Sequence, residues 1–434
     1  MRRATSTALV AAISLALAGC SPGGGETPST SPEAAGAAAS SSSVGDTVEV
    51  FSWWTSGSEV LGLEALHEVF AEKYPEIEFV NGGVTGGGGS TKQLLLTRLE
   101  AGQPPDSFQV HAGKEAQDYI DAGQVSDVSD LYDEFGLDGV FPRDLLDMLT
   151  QDGHIYTIPS NVHRANVLWA SVPALDEAGI DPDTIAYPSV DAFIADLEKI
   201  AADGDLIPLA IGGTWTQVHL LETVLIGELG AEGYDGLFSG TTEWSGPEVG
   251  AALDKFQTLI GFTNDDRDQY DWEPPTQMVV DGDAVFTIMG DWVPALLESN
   301  SLVEGIDYVW APSPGTEGIY DFLADSFSMT VGAPNPDGAK AWLAVISSAD
   351  GQAAFNAVKG SIPARTDVDL SQFSDYQRAA ARSFASDAIV GSIQHGAAAT
   401  IAQGKAVNEA VSSFVTSGAS DVTGLQADLA AAFA

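Results

Sequence analysis

Apolar and polar positions first become regular at "DTVEVFSWW", residues 46–54, where they alternate and predict a strand. In "EALHEVFAEKYPEIEFV", which follows, Leu66, Val69, Phe70 and Tyr74 recur at helical spacing, Pro75 stops the helix, and a second strand begins. Strand, helix and strand in this order make the unit of a parallel sheet. A helix in "STKQLLLTRLEAG" and the turn "QPPD" then lead into a third strand, "SFQVHAG". The first part of the body is therefore α/β. Side chains alternate faces along a strand, so Trp53 and Trp54 should not both enter one core.

Further along, "GHIYTIPSNVHRANVLWAS" is a long extended stretch, and "DYVWAPSPG", punctuated by Pro312 and Pro314, is a second one. Both are candidate crossings between two lobes. Between them, helical spacing marks "SVDAFIADLEKIAADG", the region from His219 to Leu229, and "EVGAALDKFQTLIGF". "MVVDGDAVFTIMGDWV" reads as a helix end, a turn at Gly282, a strand, and then Gly290, Asp291 and Trp292. Helices are expected to dominate the remainder, and no internal repeat is evident.

The ends of this pattern differ in kind from the body. "MRRATSTALVAAISLALAGC" has Arg2 and Arg3, a short apolar run and small residues before Cys20, the design of a secretory signal. "LAGC" further looks like a lipobox, the signal for cleavage before a cysteine that then carries lipid. Cys20 is the one cysteine of the 434 residues, so no internal disulfide, thiolate metal cluster or cysteine nucleophile is available. Residues 21–46 are almost entirely Ser, Gly, Ala and Pro, a flexible tether that cannot bury a core. No other apolar run reaches spanning length.

Charge narrows the partners. The chain has 62 acidic and 17 basic residues, a net charge of −45, and cleavage before Cys20 would remove Arg2 and Arg3 as well. Such a field excludes binding along a phosphate backbone, so no nucleic-acid partner is expected. The acid excess itself reads as a heavily solvated surface.

Catalytic motifs do not emerge. There is no Gly-x-Ser-x-Gly elbow and no His-Glu-x-x-His helix. The six histidines lie far apart, so no metal-ligand spacing appears, and neither a metal nor a cofactor is expected. "GGGGSTK" lacks the Gly-Lys step of a phosphate loop; it is either a tight turn or a set of N–H donors for a ligand oxygen. Other polar residues stand at strand ends or in Gly-rich turns, where ligands meet open α/β sheets. Gln109 and His111 share one face of a strand; Asp291 and Trp292 follow another. Trp272 precedes a helix, and Lys359 and His395 lie beside glycines. Taken together, aromatic planes with amide, carboxylate, ammonium and imidazole groups suit a compact neutral polyol, whose hydroxyls both donate and accept.

At this point the chain resembles the extracellular solute-binding proteins of sugar ABC importers, and within them the bacterial glucose and glucose/mannose-binding proteins. The resemblance rests on "FSWWTSGSE", "GQPPDSFQVHAG", "IPSNVHRANVLW", "GTWTQVHLLE", "MVVDGDAVFTIMGDW", "APSPGT", "FLADSFSM", "KGSIPAR" and "IVGSIQHGAA", spanning residues 47–434. It implies an α/β, two-lobed periplasmic-binding-protein fold of type II, with the ligand cleft between lobes joined by extended hinge segments. The expected organisation is a lipoprotein signal peptide, 1–20; a tether, 21–46; an N-terminal lobe, 47–163 and 313–365; and a C-terminal lobe, 164–312 and 366–434.

The resemblance also implies site roles. Trp53 and Trp54 match paired tryptophans at the cleft, with Trp54 expected to be the main sugar platform and Trp53 to shape the wall or contact a second face of the sugar. Glu59, Gln109, His111, Asp325, Lys359 and His395 match partners of sugar hydroxyls. Trp272 matches a stacking ring from the second lobe, and Asp291 and Trp292 match its polar and aromatic contacts. Trp215 and Gln217 line the wall at most. The expectation is a monomeric, lipid-anchored protein on the outer face of the cytoplasmic membrane. It would bind an aldohexose without catalysis, glucose first and galactose or mannose next, and deliver it to separate ABC permease subunits. A disaccharide or oligosaccharide ligand, a secreted glycoside hydrolase and a sensory binding protein are the alternatives.

Overall fold

The computed structural model describes residues 47–55, 59–84 and 87–434; the signal, the tether and Cys20 lie outside them. The alternating segment at the start forms a strand, Thr47–Phe51, with Val48 and Val50 fully buried. It stops before the tryptophan pair, because the backbone turns and Thr55 N–H donates to the Trp53 carbonyl. The helix Glu59–Lys73 buries Leu63, Leu66 and Phe70, and returns the chain to a strand at Glu78–Asn81 that pairs in parallel with the first.

These strands belong to a five-stranded sheet in the order Glu78–Asn81, Thr47–Phe51, Ser107–His111, Asp325–Met329 and Thr157–Pro159. The first three are parallel and the last two antiparallel to their neighbours. Register sets Asp325 opposite His111 and Phe327 opposite Gln109, so the cleft ends of two central strands carry three of the expected site residues.

A second sheet runs Tyr308–Pro312, Val167–Ser171, Ala284–Ile288, Ile207–Leu209. The two stretches read as crossings thus pair antiparallel with each other, Trp310 opposite Trp169. Helices Val190–Asp203, Thr214–Ser239 and Pro247–Ile260 pack around this sheet, in the core that Leu168, Phe193, Leu221, Phe256 and Phe286 help to build. The second of these is longer than the sequence pattern predicts and breaks at Gly230, where φ is 67°.

Strands also occur at Ile319–Leu323, Asp325–Met329 and Ala388–Gly391, in the region expected to be helical. The first two are buried almost throughout, so they do not show the alternation that marks a half-exposed strand. Ile319–Leu323 pairs in parallel with Ala388–Gly391 and antiparallel with His163–Arg164. This three-stranded sheet therefore joins the first crossing to chain from the last third of the sequence.

Asn335 ties one helix to the opening strand. Its Oδ1 accepts from Gly338 N–H at the start of helix Pro336–Ile346, and its Nδ2 donates to the Thr47 carbonyl at 2.7 Å. Asn335→Ala is expected to lower stability by about 1–2 kcal/mol, the range for losing an N-cap. A urea midpoint that falls with an unchanged slope checks it.

Candidate functional site

Trp53 and Trp54 diverge at the bend beyond the end of the strand. Trp54 is 0% exposed and packs between Phe355, 4.8 Å between centroids, and Phe327, 5.7 Å. Trp53 lies at the cleft beside His111, 4.9 Å between ring centroids, with the Lys92 ammonium 4.8 Å above its ring. Trp53 thus stands beside the His111 end of the strand, and Trp54 packs into the lobe behind it.

The polar residues of the first lobe form one connected set. Gln109 Nε2 donates to Asp325 Oδ1 at 2.8 Å, while Gln109 Oε1 accepts from Ser52 Oγ and Trp53 N–H. His111 Nδ1 meets Glu115 Oε2 at 2.7 Å, and Lys92 pairs with the same carboxylate. Burial would raise the Glu115 carboxyl, but Lys92 and His111 overcome it and hold the group down at about 2. Lys359, nearly buried at the end of helix Ala349–Lys359, pairs with Glu59 at 2.8 Å and lies 5.8 Å from the Trp54 ring.

The second lobe contributes rings. Trp292 has Trp272 at 6.4 Å, Trp215 at 6.3 Å, His395 at 5.3 Å and His219 at 6.0 Å, all centroid to centroid. It lies so close over Gly290 that a Cβ there would be 2.1 Å from the ring, so glycine is required. Its indole N–H is buried without a hydrogen-bond partner. Gln217 Nε2 donates to Asp268 and the Gly212 carbonyl, while its Oε1 is buried without a partner among the described residues, and Trp215 donates to Asp271. Across the cleft, the His111 and His395 rings are 5.8 Å apart, and Trp53, Trp272 and Trp292 are only 7–8% exposed. The lobes are closed on each other here.

One residue bridges them. His163, on the first crossing, bonds Asp291 through Nδ1 and reaches Asp325 Oδ2 at 3.3 Å through Nε2. Asp291 follows a strand of the second lobe and Asp325 opens a strand of the first. Asn161 Nδ2 also donates to Asp325 Oδ2, and Arg164 N–H to Asp291 Oδ2. Burial alone would lower the His163 pKa, but the two carboxylates outweigh it and raise it. Burial would raise Asp325 as well, yet His163 holds it well below the usual carboxylate range. An imidazolium between two carboxylates is the arrangement consistent with both shifts.

The structure thus brings Trp53, Gln109, His111, Asp325, Trp272, Asp291, Trp292 and His395 to one place, with Lys359 and Glu59 at its side. Sequence reading missed Lys92, Glu115, Asn161 and His163. His163 and Asn161 were visible only as polar residues inside an otherwise extended crossing. Among the described residues, His219, Glu222 and His395 also bring one donor atom each within 4.8 Å of one another, the group able to hold a metal ion.

Two α/β lobes, paired crossings and an aromatic, hydrogen-bonding cleft define a hinged binding protein. The chain belongs to the bacterial extracellular solute-binding proteins, whose family pattern matches residues 56–353. The activity of this family is binding, not catalysis. It is 32% identical over 410 residues to an uncharacterized ABC transporter extracellular-binding protein of Pyrococcus horikoshii, covering 93% of this chain and 90% of the relative. It is 31% identical over 383 residues to a probable sugar-binding periplasmic protein of Rhizobium meliloti, covering 86% and 90%. To the xylose/arabinose-binding protein XacG of Haloferax volcanii it is 29% identical over 361 residues, covering 81% and 77%. In fold it is similar to a chitin oligosaccharide binding protein, with a TM-score of 0.77, 18% identity, and 90% and 98% of the two chains covered.

The His163 bridge fixes a pH dependence. Because its pKa is raised in the folded protein, its contribution is complete below the ordinary value of 6.5 and is lost as pH rises through the raised value. Thermal denaturation across pH 6–9 is expected to show that loss. His163→Gln, whose amide has one donor nitrogen, is expected to remove this step and to cost about 3–5 kcal/mol at pH 6, the range for breaking a buried pair.

Proposed function

We propose that the protein binds one aldohexose, glucose first and galactose or mannose next, between its lobes, and passes it to the permease of an ABC importer. The relatives named for sugars support the ligand class, and the observation that carries the reading is the joint occupancy of one narrow cleft by groups from both lobes. Trp53 supplies an apolar plane on one side, and Trp272 and Trp292 supply planes on the other. Pyranose C–H faces pack on such rings. Asp325, Asp291, Gln109, His111, Lys359 and His395 provide acceptors and donors for the hydroxyl groups. The His111 and His395 rings, 5.8 Å apart, meet edge to face and bring one imidazole from each lobe to the same place.

Binding of this kind works by population. Groups of both lobes touch the sugar together only when the lobes are closed, so the sugar stabilises that state. An epimer leaves a buried donor or acceptor unpaired, at a cost of about 1–3 kcal/mol. A micromolar dissociation constant corresponds to about −8 kcal/mol. Delivery then requires the closed form to reach the membrane. We assign that to a diacylglyceryl group on Cys20 and the 21–46 tether, which would hold a monomer at the outer face of the cytoplasmic membrane.

Calorimetry with glucose, galactose, mannose, xylose, arabinose, maltose and cellobiose tests the ligand. One aldohexose is expected to bind near micromolar, with both disaccharides at least a hundredfold weaker; a disaccharide binding more tightly overturns the reading. In the same assay Trp53→Ala is expected to cut affinity more than tenfold in a stable protein. Trp54→Ala is expected to destabilise the fold by about 3–5 kcal/mol instead. Cys20→Ser is expected to move the protein from the membrane fraction to the medium; retention on the membrane would end the anchoring proposal.

A further inference from the structure

His219 lies on helix Thr214–Ser239 with its ring fully buried. Its Nε2 is 3.0 Å from the Ala165 carbonyl, which can only accept, so Nε2 carries the hydrogen and Nδ1 presents a lone pair. That Nδ1 has no hydrogen-bond partner among the described residues. One turn along, Glu222 is equally buried, and its carboxylate accepts from Ser392 Oγ at 2.8 Å and Gln394 N–H at 2.9 Å. Glu222 Oε1 is 3.8 Å from His219 Nδ1 and 3.9 Å from His395 Nδ1.

These separations are too long for hydrogen bonds and suited to a shared ion. One donor atom from each of the three residues lies within 4.8 Å of the other two. That spacing lets one ion approach all three near the usual zinc–nitrogen and zinc–oxygen distances of about 2.0–2.2 Å after small side-chain shifts. The surroundings have the form of an outer shell: the free imidazole N–H bonds a backbone carbonyl, and the carboxylate is held by a hydroxyl and an amide.

Asp321 is buried against Glu222 and hydrogen-bonded to it, so the pair shares a proton and carries one negative charge. Arg164 faces this pair, but its guanidinium donates to Asn166, Ser383 and the Ile319 carbonyl. The charge of this enclosed pair thus lacks a directly bonded cation among the described residues.

We propose that His219 Nδ1, Glu222 Oε1 and His395 Nδ1 bind a divalent transition-metal ion, with water completing its shell. The ion balances the negative charge of the Glu222–Asp321 pair. Ligation through Nδ1 releases His395 from Ser392 Oγ, now 2.9 Å away, and places the ring hydrogen on Nε2. On the sugar-binding reading, that hydrogen makes His395 a donor toward the ligand; metal binding itself does not depend on that reading.

Chelator-treated full-length protein, without sugar, is titrated with zinc(II) and manganese(II) by calorimetry and with cobalt(II) by visible absorption. One ion per chain is expected, with zinc at micromolar affinity or tighter and cobalt bands stronger than those of the aquo ion. His219→Phe and Glu222→Gln are each expected to weaken zinc at least a hundredfold. Absence of stoichiometric binding, aquo-like cobalt bands, or unchanged affinity in folded variants overturns the proposal, the last by assigning the ion to surface carboxylates. The cobalt spectrum of the unmodified protein decides the matter even if a variant fails to fold. Because no sugar is present, a negative result leaves the sugar reading to its own test.

Discussion

The closed cleft depends on charge pairing among buried groups. Asp291 and Asp325 come from different lobes and are both buried; alone they would repel each other and resist desolvation. His163 turns this liability into a link, because an imidazolium has one N–H for each carboxylate. Asn161 and the Arg164 backbone supply further donors, so the carboxylates are held in place. Gln109, Ser52 and Trp53 are then ordered through Asp325, and the Gly290–Trp292 turn through Asp291.

This arrangement explains how an acidic chain places its few cations. Lys92, Lys359 and Arg164 are drawn into the cleft region, each beside an aromatic ring. Lys92 serves Glu115 and Trp53 together, and Lys359 serves Glu59 beside Trp54. Surface carboxylates keep the rest of the body solvated, while the interior positive groups keep the cleft compatible with an uncharged ligand.

Much of the frame was legible because its signals are local. The opening strand, the Leu66–Phe70 helix and the paired crossings all announce themselves by period or by proline. The strands around Asp321 and Asp325 did not, since residues buried on both faces lose the alternation that marks a strand. For the site, strand ends and glycine turns pointed to Gln109, His111, Asp291 and Trp292, and the family resemblance to Asp325. Long-range partners left no such mark. His163 meets a residue 128 positions away, and His395 joins Glu222 across 173; only tertiary structure makes these neighbours. Trp53 and Trp54 show the limit most plainly: alternation said they part, but not which one turns toward the cleft.

The contact between Trp292 and Gly290 has a consequence for altering specificity. That ring rests directly on main chain, so its height above the sheet is set by the backbone rather than by replaceable side chains. The wall it forms is in effect an anvil. Efforts to admit a larger or differently branched ligand have more freedom on the opposite side, where Trp53 rests on His111 and Lys92, side chains that can be exchanged without rebuilding a strand.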